Sequence, residues 1–448
     1  MNSHNIKAPT LYVGSFFCFS TSQVYNKNIM NTTETNSIYK NIQDAIKNAG
    51  ENLGFSDITI TNIINPYNVI NESVDVEGID TPINMYRVQF NNALGPYKGG
   101  IRFHPDVDLD EVKTLAITMM LKCSLVGIPM GGAKGGATLN PRDYNEKQIE
   151  AVARAWARTM KDHIGVDKDI PAPDVNTNGK IMSYMVDEFE KIVGHSEPGV
   201  ITGKPIEIGG SLGRTQATSQ GGVYSLLKIL EYFPAKVGDK TVVIQGFGNV
   251  GSYAATILVE EGFTILGISD SRGAIYNPAG LDVVSIAEKK QQSRESLHDM
   301  FAAHEDVIKM SNEELLLQEC DILIPAALEN QITESNADDI KASVVVELAN
   351  NPTSTQADDI LKLNDVLVIP DFLANAGGVT VSYFEWVQNR QQYYWTAKEV
   401  DERLFKFMTE ATDKTYALAQ KENLTLREAG FKLAVERIGK AVELRGHR

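Results

Sequence analysis

Apolar residues recur at helical spacing along Ile38, Ile42, Ala45, Ile46 and Ala49, and the pattern stops at Gly50 and Gly54. This spacing predicts an amphipathic helix over 38–53. Pro66 and Pro82 bracket a stretch that reads as irregular, after which Ile83 to Phe90 alternates apolar and polar side chains as a half-buried strand does. Helical periodicity returns from Leu109 to Leu125, opening after Asp108, and from Asn145 to His163. Asp169 to Asn178 reads as a strand end entering a loop stiffened by Pro171 and Pro173, with a helix starting near Asn176. From about Thr215 the pattern changes. Short apolar runs (Thr241–Gln245, Thr264–Ser269, Asp321–Pro325, Val344–Leu348, Val366–Ile369) alternate with helical stretches such as Ser252–Glu261, which predicts a parallel sheet covered on both faces. After Asn375-Ala376-Gly377-Gly378, expected as a bend, three helical segments follow: Val379–Tyr394, Glu399–Gln420 and Leu426–Glu443.

The expected fold class is therefore α/β. An N-terminal α/β domain over 38–214 precedes a doubly wound domain over 215–390, and helices over 391–448 return to the first domain. Residues 1–37, with an Asn/Thr-rich stretch from Asn26 to Asn36, are expected as a disordered tail or an extension ahead of a start at Met30.

Composition narrows the classes of function. Hydrophobic residues make up 43% and charged residues 22% of 448, the balance of a globular protein with two or three domains. A net charge of -16 repels polyanions and anionic lipid, so neither nucleic acid nor a membrane surface is expected as a partner. No apolar run approaches the ~20 residues that span a bilayer; Leu11 to Phe19 only weakly imitates a signal peptide. Cys18, Cys123 and Cys320 give neither a disulfide framework nor metal-ligand spacing, so no metal site and a reducing, cytoplasmic compartment are expected.

The candidate chemistry centres on glycine-rich words with lysines in them. Gly131-Gly132-Ala133-Lys134-Gly135-Gly136 places one cation among four glycines, and between Leu115 and Gly136 only Lys122 and Lys134 are charged. Such a stretch forms either a floor for a small anion or a tight turn with a solvated lysine. Lys98-Gly99-Gly100 repeats the theme, and Lys122 also suits the C-terminal end of its helix. Asp174 follows the stiff prolines as a held carboxylate or as a helix N-cap.

In the second half, Gly246-Phe247-Gly248-Asn249-Val250-Gly251 follows a strand and opens a helix, with Asp270 about 20 residues beyond at the end of the next strand. This is the dinucleotide-binding fingerprint of a Rossmann-type domain. The Asp270 carboxylate repels a 2′-phosphate and leans toward NAD; Arg272 softens that preference, so NADP stays open. Three lysines facing a nicotinamide across a cleft suggest a substrate with more than one carboxylate. A lysine crowded by two other cations is expected to have a depressed pKa, and Asp174 supplies a second proton carrier.

These words resemble those of the glutamate/leucine/phenylalanine/valine amino acid dehydrogenases. The likeness runs through Lys98 to Pro105, Lys122 to Gly136, Pro171 to Asn178, Thr202 to Pro205, Gly209-Gly210-Ser211, Gly213-Arg214 with Ala217-Thr218, Gly246 to Gly251, Ile324 to Gln331 and Asn375 to Val379. It implies reversible oxidative deamination of an amino acid with NAD or NADP. Lys134 would be the low-pKa catalytic lysine and Asp174 the proton shuttle. Lys122, with Asn375, would bind the α-carboxylate, and Lys98 with Ser382 a side-chain carboxylate. Relatives acting on apolar amino acids carry an apolar residue at the Lys98 position, so Lys98 implies glutamate, with 2-oxoglutarate and ammonia as the other reactants. Arg214, Thr218 and Asn350 would line the nicotinamide end, and family habit implies a homohexamer. Leu348, Asn351 and Ser219 stand where the family usually has glycine. A dehydrogenase for another amino acid, or a catalytically silent regulatory paralogue, remains as an alternative.

Overall fold

The structure is a computed structural model that describes residues 38–446 apart from 294 and 303. The expected N-terminal tail, with Cys18, lies outside the described residues. The first half comprises α1 (Ile38–Asn52), α2 (Asp57–Ile64), β1 (Pro66–Val74), β2 (Ile83–Phe90), β3 (Tyr97–His104), α3 (Leu109–Leu125), β4 (Gly132–Thr138), α4 (Glu146–Met160), β5 (Asp169–Pro173) and α5 (Gly179–Val193). The second comprises α6 (Ala217–Tyr232), β6 (Thr241–Gln245), α7 (Asn249–Glu260), β7 (Thr264–Asp270), β8 (Gly273–Tyr276), α8 (Val283–Gln292), α9 (Leu297–Met300), β9 (Ile308–Met310), α10 (Asn312–Leu316), β10 (Ile322–Pro325), β11 (Val344–Val346), α11 (Thr355–Leu363) and β12 (Leu367–Ile369). Four helices complete the chain: α12 (Asp371–Ala374), α13 (Gly377–Gln391), α14 (Ala397–Glu422) and α15 (Leu426–Leu444).

The predicted helix starts follow from their caps. Asp108 accepts the Glu111 amide at 2.8 Å to open α3, and Asn145 and Gln148 form a reciprocal capping box at α4. Thr396 with Glu399 and Thr425 with Glu428 do the same for α14 and α15.

The first sheet has the order β1-β2-β4-β3-β5, with β3, β4 and β5 parallel to one another and β1 and β2 antiparallel to their neighbours. Two expectations fail here. The stretch after Pro66 is an edge strand, where a proline at the first position costs no ladder hydrogen bond. The two glycine-rich lysine words are buried strands, which excludes the turn reading; their glycines allow close approach, since a Cβ on Gly132 would lie 2.3 Å from the Met120 nitrogen of α3 and one on Gly99 1.5 Å from the Ala133 carbonyl oxygen of β4. The solvated-lysine reading of Lys134 is thereby overturned.

The second sheet has the order β12-β11-β10-β6-β7-β8-β9. Strands β6, β7, β10, β11 and β12 are parallel, as expected, but β8 and β9 are antiparallel additions that the apolar pattern did not reveal. Strand order reverses at β6, which has β7 on one side and β10 on the other. In open α/β sheets that switch point is where ligands bind. Gly377-Gly378 opens α13 instead of making a free bend.

Apolar packing covers both faces of each sheet. Phe103, Trp156 and Met182 belong to a core between the first sheet and α4 and α5. A larger core runs from α1 and α3 through α6 and α7 to α14 and α15, joining the two halves. Arg437 on α15 donates to the carbonyls of Ser124 at 2.8 Å and Gly127 at 3.0 Å, which ties the last helix to the end of α3.

Candidate active site

Side chains from both halves meet in a cavity of about 300 Å³. From the first half come Lys98 on β3, Lys122 in the last turn of α3, Lys134 on β4 and Asp174 just past β5. Arg214 follows at the junction before α6, and the second half supplies Thr218 at the start of α6, Val250 on α7, Asn350 beyond β11, Asn375 beyond α12 and Ser382 on α13. Sequence reasoning named all of these. Gly246, Gly248, Asn249, Gly251 and Asp270 do not line that cavity; they form the separate β6–α7 turn and the end of β7.

At the acid–base centre, Lys134 Nζ lies 2.8 Å from Asp174 Oδ2, and Arg102 Nε donates to the same oxygen at 3.1 Å. Both cations therefore hold Oδ2, and Asp174 keeps Oδ1 for another partner. Arg102 is itself steadied by Glu111. The N-cap reading of Asp174 is corrected, since Asn178 caps α5 by accepting the Ile181 amide at 3.1 Å. Burial pushes the Asp174 carboxyl up, but Lys134 and Arg102 outweigh it and hold it below its usual range. Burial also lowers Lys134, against the opposing pull of Asp174.

Lys98 is only 1% exposed, and its Nζ meets neutral oxygens alone: Thr202 Oγ1 at 2.8 Å and the Ile170 carbonyl at 3.1 Å. Thr202 Oγ1 lies 2.6 Å from Ser382 Oγ, so the three form a chain. Burial, then the nearby Arg214 guanidinium, lowers the Lys98 pKa to about 7. Lys122 donates to Asn375 Oδ1 at 2.5 Å and to Asn350 Oδ1 at 3.4 Å, and burial lowers it too. The expected cause of these depressed values, lysines crowding one another, is thus corrected. Desolvation leads at every one, and repulsion among the three lysines is a secondary contribution, between Lys122 and Lys134.

The loop bearing Asn350 is set by a buried charge network. Arg427 on α15 donates to Glu347 Oε1 at 2.7 Å, Glu347 Oε2 accepts the Asp371 amide at 2.8 Å, and Asp371 Oδ2 accepts the Asn351 amide at 3.0 Å. Arg214 Nε is buried with no hydrogen-bond partner among the described residues, in the wall of the same cavity.

The dinucleotide fingerprint folds as its spacing requires. A Cβ on Gly251 would lie 1.8 Å from the Gly246 carbonyl oxygen, so the turn closes only with glycine there. No side chain caps α7 at Gly248, and open space surrounds that glycine, so the amides of the first turn are free to receive a pyrophosphate. Ser269, next to Asp270, bonds the Gly246 amide through Oγ at 3.0 Å. The residues present fit a dinucleotide.

Residues 209–446 match the family described as Glutamate/Leucine/Phenylalanine/Valine dehydrogenase, and residues 66–191 match the Glu/Leu/Phe/Val dehydrogenase dimerisation domain. The chain belongs to this family of dehydrogenases. It is 44% identical over 417 residues to an NAD-specific glutamate dehydrogenase of Staphylococcus aureus, covering 92% of this chain and 99% of the relative. An NADP-specific glutamate dehydrogenase of Synechocystis is 41% identical over 420 residues, covering 92% and 98%. Among solved structures, the hetero-hexameric glutamate dehydrogenase of Thermus thermophilus in a Leu-bound form superposes with a TM-score of 0.87 at 30% identity, covering 94% of this chain and 99% of that one.

The departures from the family pattern are accommodated locally. Asn351 takes a left-handed conformation (φ 45°), which asparagine tolerates better than most residues. Leu348 is buried against Gly222, and Ser219 Oγ donates to the Val250 carbonyl at 2.7 Å, tying α6 to α7. Sequence reasoning assigned no role to Thr202 or Arg102, although both stood inside the quoted words; their signal was a polar side chain within a glycine-rich or proline-rich motif. Among the described residues no helix is long and apolar enough to cross a membrane, and no group of three His, Cys, Asp or Glu is placed to hold a metal ion.

Proposed function

We propose that this chain is an NAD(P)-dependent dehydrogenase that interconverts L-glutamate with 2-oxoglutarate and ammonia. The observation that carries this is Lys98, a buried ammonium with only neutral oxygens around it, in the same cavity as the Lys134–Asp174 pair. Keeping a cation there is costly unless a carboxylate arrives to meet it. An apolar side chain would leave it unpaired, whereas the γ-carboxylate of glutamate completes the Lys98–Thr202–Ser382 chain.

Lys122 and Asn375 then receive the α-carboxylate, so the substrate is held at both ends. The nicotinamide, when bound, accepts the hydride from Cα. Asp174 takes a proton from the substrate's ammonium group through its free Oδ1, so that loss of the hydride from Cα leaves an iminium. Lys134, lowered by burial, draws a proton from water as it adds to that carbon, giving a carbinolamine. Asp174 then returns its proton to the nitrogen, the C–N bond breaks, and the hydroxyl proton leaves with the nitrogen as ammonium, so the 2-oxo acid remains. Residues 38–214 would supply the substrate wall, 215–390 the dinucleotide wall, and 391–448 the brace. We take the assembly to be a homohexamer and the compartment to be the cytoplasm; the hetero-hexameric Thermus relative supports the number of subunits, not their identity.

The test follows nicotinamide absorbance with purified protein, glutamate or leucine, and NAD or NADP in turn. Turnover with glutamate is expected to exceed that with leucine by at least roughly 100-fold, the discrimination that an unpaired buried charge provides. Faster turnover of leucine would overturn the reading.

A further inference from the structure

Asp270 ends β7 where the adenosine ribose of a dinucleotide is expected, and its carboxylate is already engaged. Oδ1 accepts the Arg272 amide at 2.9 Å, while Oδ2 accepts the Leu297 amide and the Lys290 ammonium, each at 2.9 Å. A carboxylate has about four lone-pair positions, so roughly one is left for a ribose hydroxyl. Lys290 sits near the end of α8 and also donates to the Glu295 carbonyl at 2.9 Å, which leaves one N–H without a partner among the described residues. Arg272 is beside them with its side chain 65% exposed, touching Asp299 at 3.2 Å through one nitrogen.

A bare carboxylate repels a phosphate dianion. A carboxylate with an ammonium at contact distance presents a dipole, whose field decays faster and whose positive end attracts the same dianion. We propose that Lys290 sets cofactor choice: by neutralising Asp270 and offering its remaining N–H beside Arg272, it lets this site take the adenosine 2′-phosphate of NADP as well as the ribose diol of NAD. This rests on the dehydrogenase reading and gives its second substrate a specificity residue. The competing explanation is that Lys290 merely staples α8 to β7, in which case its loss weakens both cofactors alike.

The experiment measures NADH and NADPH binding by fluorescence titration, without substrate turnover, for the wild type, Lys290→Gln and Lys290→Arg. The wild type is expected to bind the two within about tenfold of each other. Lys290→Gln is expected to weaken NADPH by about tenfold or more while NADH changes by less than about threefold, and Lys290→Arg to keep NADPH binding, since the cation remains. A parallel loss of both cofactors, an unchanged ratio, or a wild type that binds NADPH more than roughly 100-fold more weakly than NADH would overturn the proposal. In those outcomes the wild type still binds NADH, so the dehydrogenase reading stands. Binding of neither cofactor by the wild type would overturn both.

Discussion

Lys134 meets Asp174 at 2.8 Å and Lys204 meets Glu385 at 2.7 Å, yet the surroundings of the two ion pairs differ. Lys204 and Glu385 are wholly buried, and the carboxylate is further occupied by the Gly203 amide at 2.8 Å. Lys204 spends another proton on the Ile201 carbonyl at 2.6 Å. That pair is closed, and it anchors the loop carrying Thr202 to α13, the helix that carries Ser382. The Lys134–Asp174 pair instead opens on the cavity, with both of its cations on one carboxylate oxygen. Nearly equal contact distances thus accompany a closed pair in one place and, in the other, the pair proposed above for proton transfer. Access and spare hydrogen-bonding capacity make the difference.

Breaking each pair separates the two roles. Lys134→Ala or Asp174→Asn is expected to cost about 100- to 10,000-fold in turnover, the range for a lost general acid or base, with dinucleotide binding and melting temperature nearly kept. Unchanged turnover in either variant removes that residue from the mechanism. Lys204→Met is expected to do the reverse: about 3 kcal/mol or more of stability is lost by stranding Glu385, measured by denaturant unfolding. A Lys204→Met protein as stable as the wild type would reduce the closed pair to a bystander.

Lys98 sharpens the comparison through pH, because it is buried like Lys204 but among the described residues has no carboxylate in contact. Its pKa is lowered to about 7 by burial and then by Arg214, from 10.5. The folded protein therefore holds fewer protons at this site than the unfolded chain between pH 7 and 10.5, so this group's cost to stability is largest below pH 7 and shrinks as pH rises. Lys98→Met is expected to melt higher than the wild type at pH 6, with the gap narrowing by pH 9. Glutamate affinity has the opposite slope, falling above pH 7 as the free ammonium loses its proton. A gap that does not change with pH would show that Lys98 does not titrate. The smallest effect is expected at Asn351→Gly, where glycine suits the left-handed backbone at φ 45°. Stability should move by less than about 1 kcal/mol and cofactor KM by less than about threefold.

Much of the fold was legible in local pattern. The caps at Asp108 and Asn145, the period of α3 and α4, and the apolar runs of β6, β7, β10 and β11 are short-range signals, and each element formed where they lie. Strands β3 and β4 were not legible, because their glycine-rich words read locally as turns. Only contact with α3 and with neighbouring strands makes them strands. The antiparallel β8 and β9 escaped for a related reason: they are short, and exposed or intermediate positions interrupt the apolar run.

At the site, residue identity came from sequence words while partnership came from long-range folding. The glycine fingerprint, the lysines and Asp174 are chemical facts that the chain carries in its order, since glycine spacing and side-chain type do not depend on neighbours far away. Folding alone decided that Asp174 serves Lys134 instead of capping α5, and that Thr202 joins Lys98, 104 positions before it, to Ser382, 180 positions after it. It also decided that Lys290, 20 positions on, pairs with Asp270 Oδ2. Depressed lysine pKa values belong to the same class, because desolvation depends on what is packed around a side chain, and that is known only once the two halves have closed on each other.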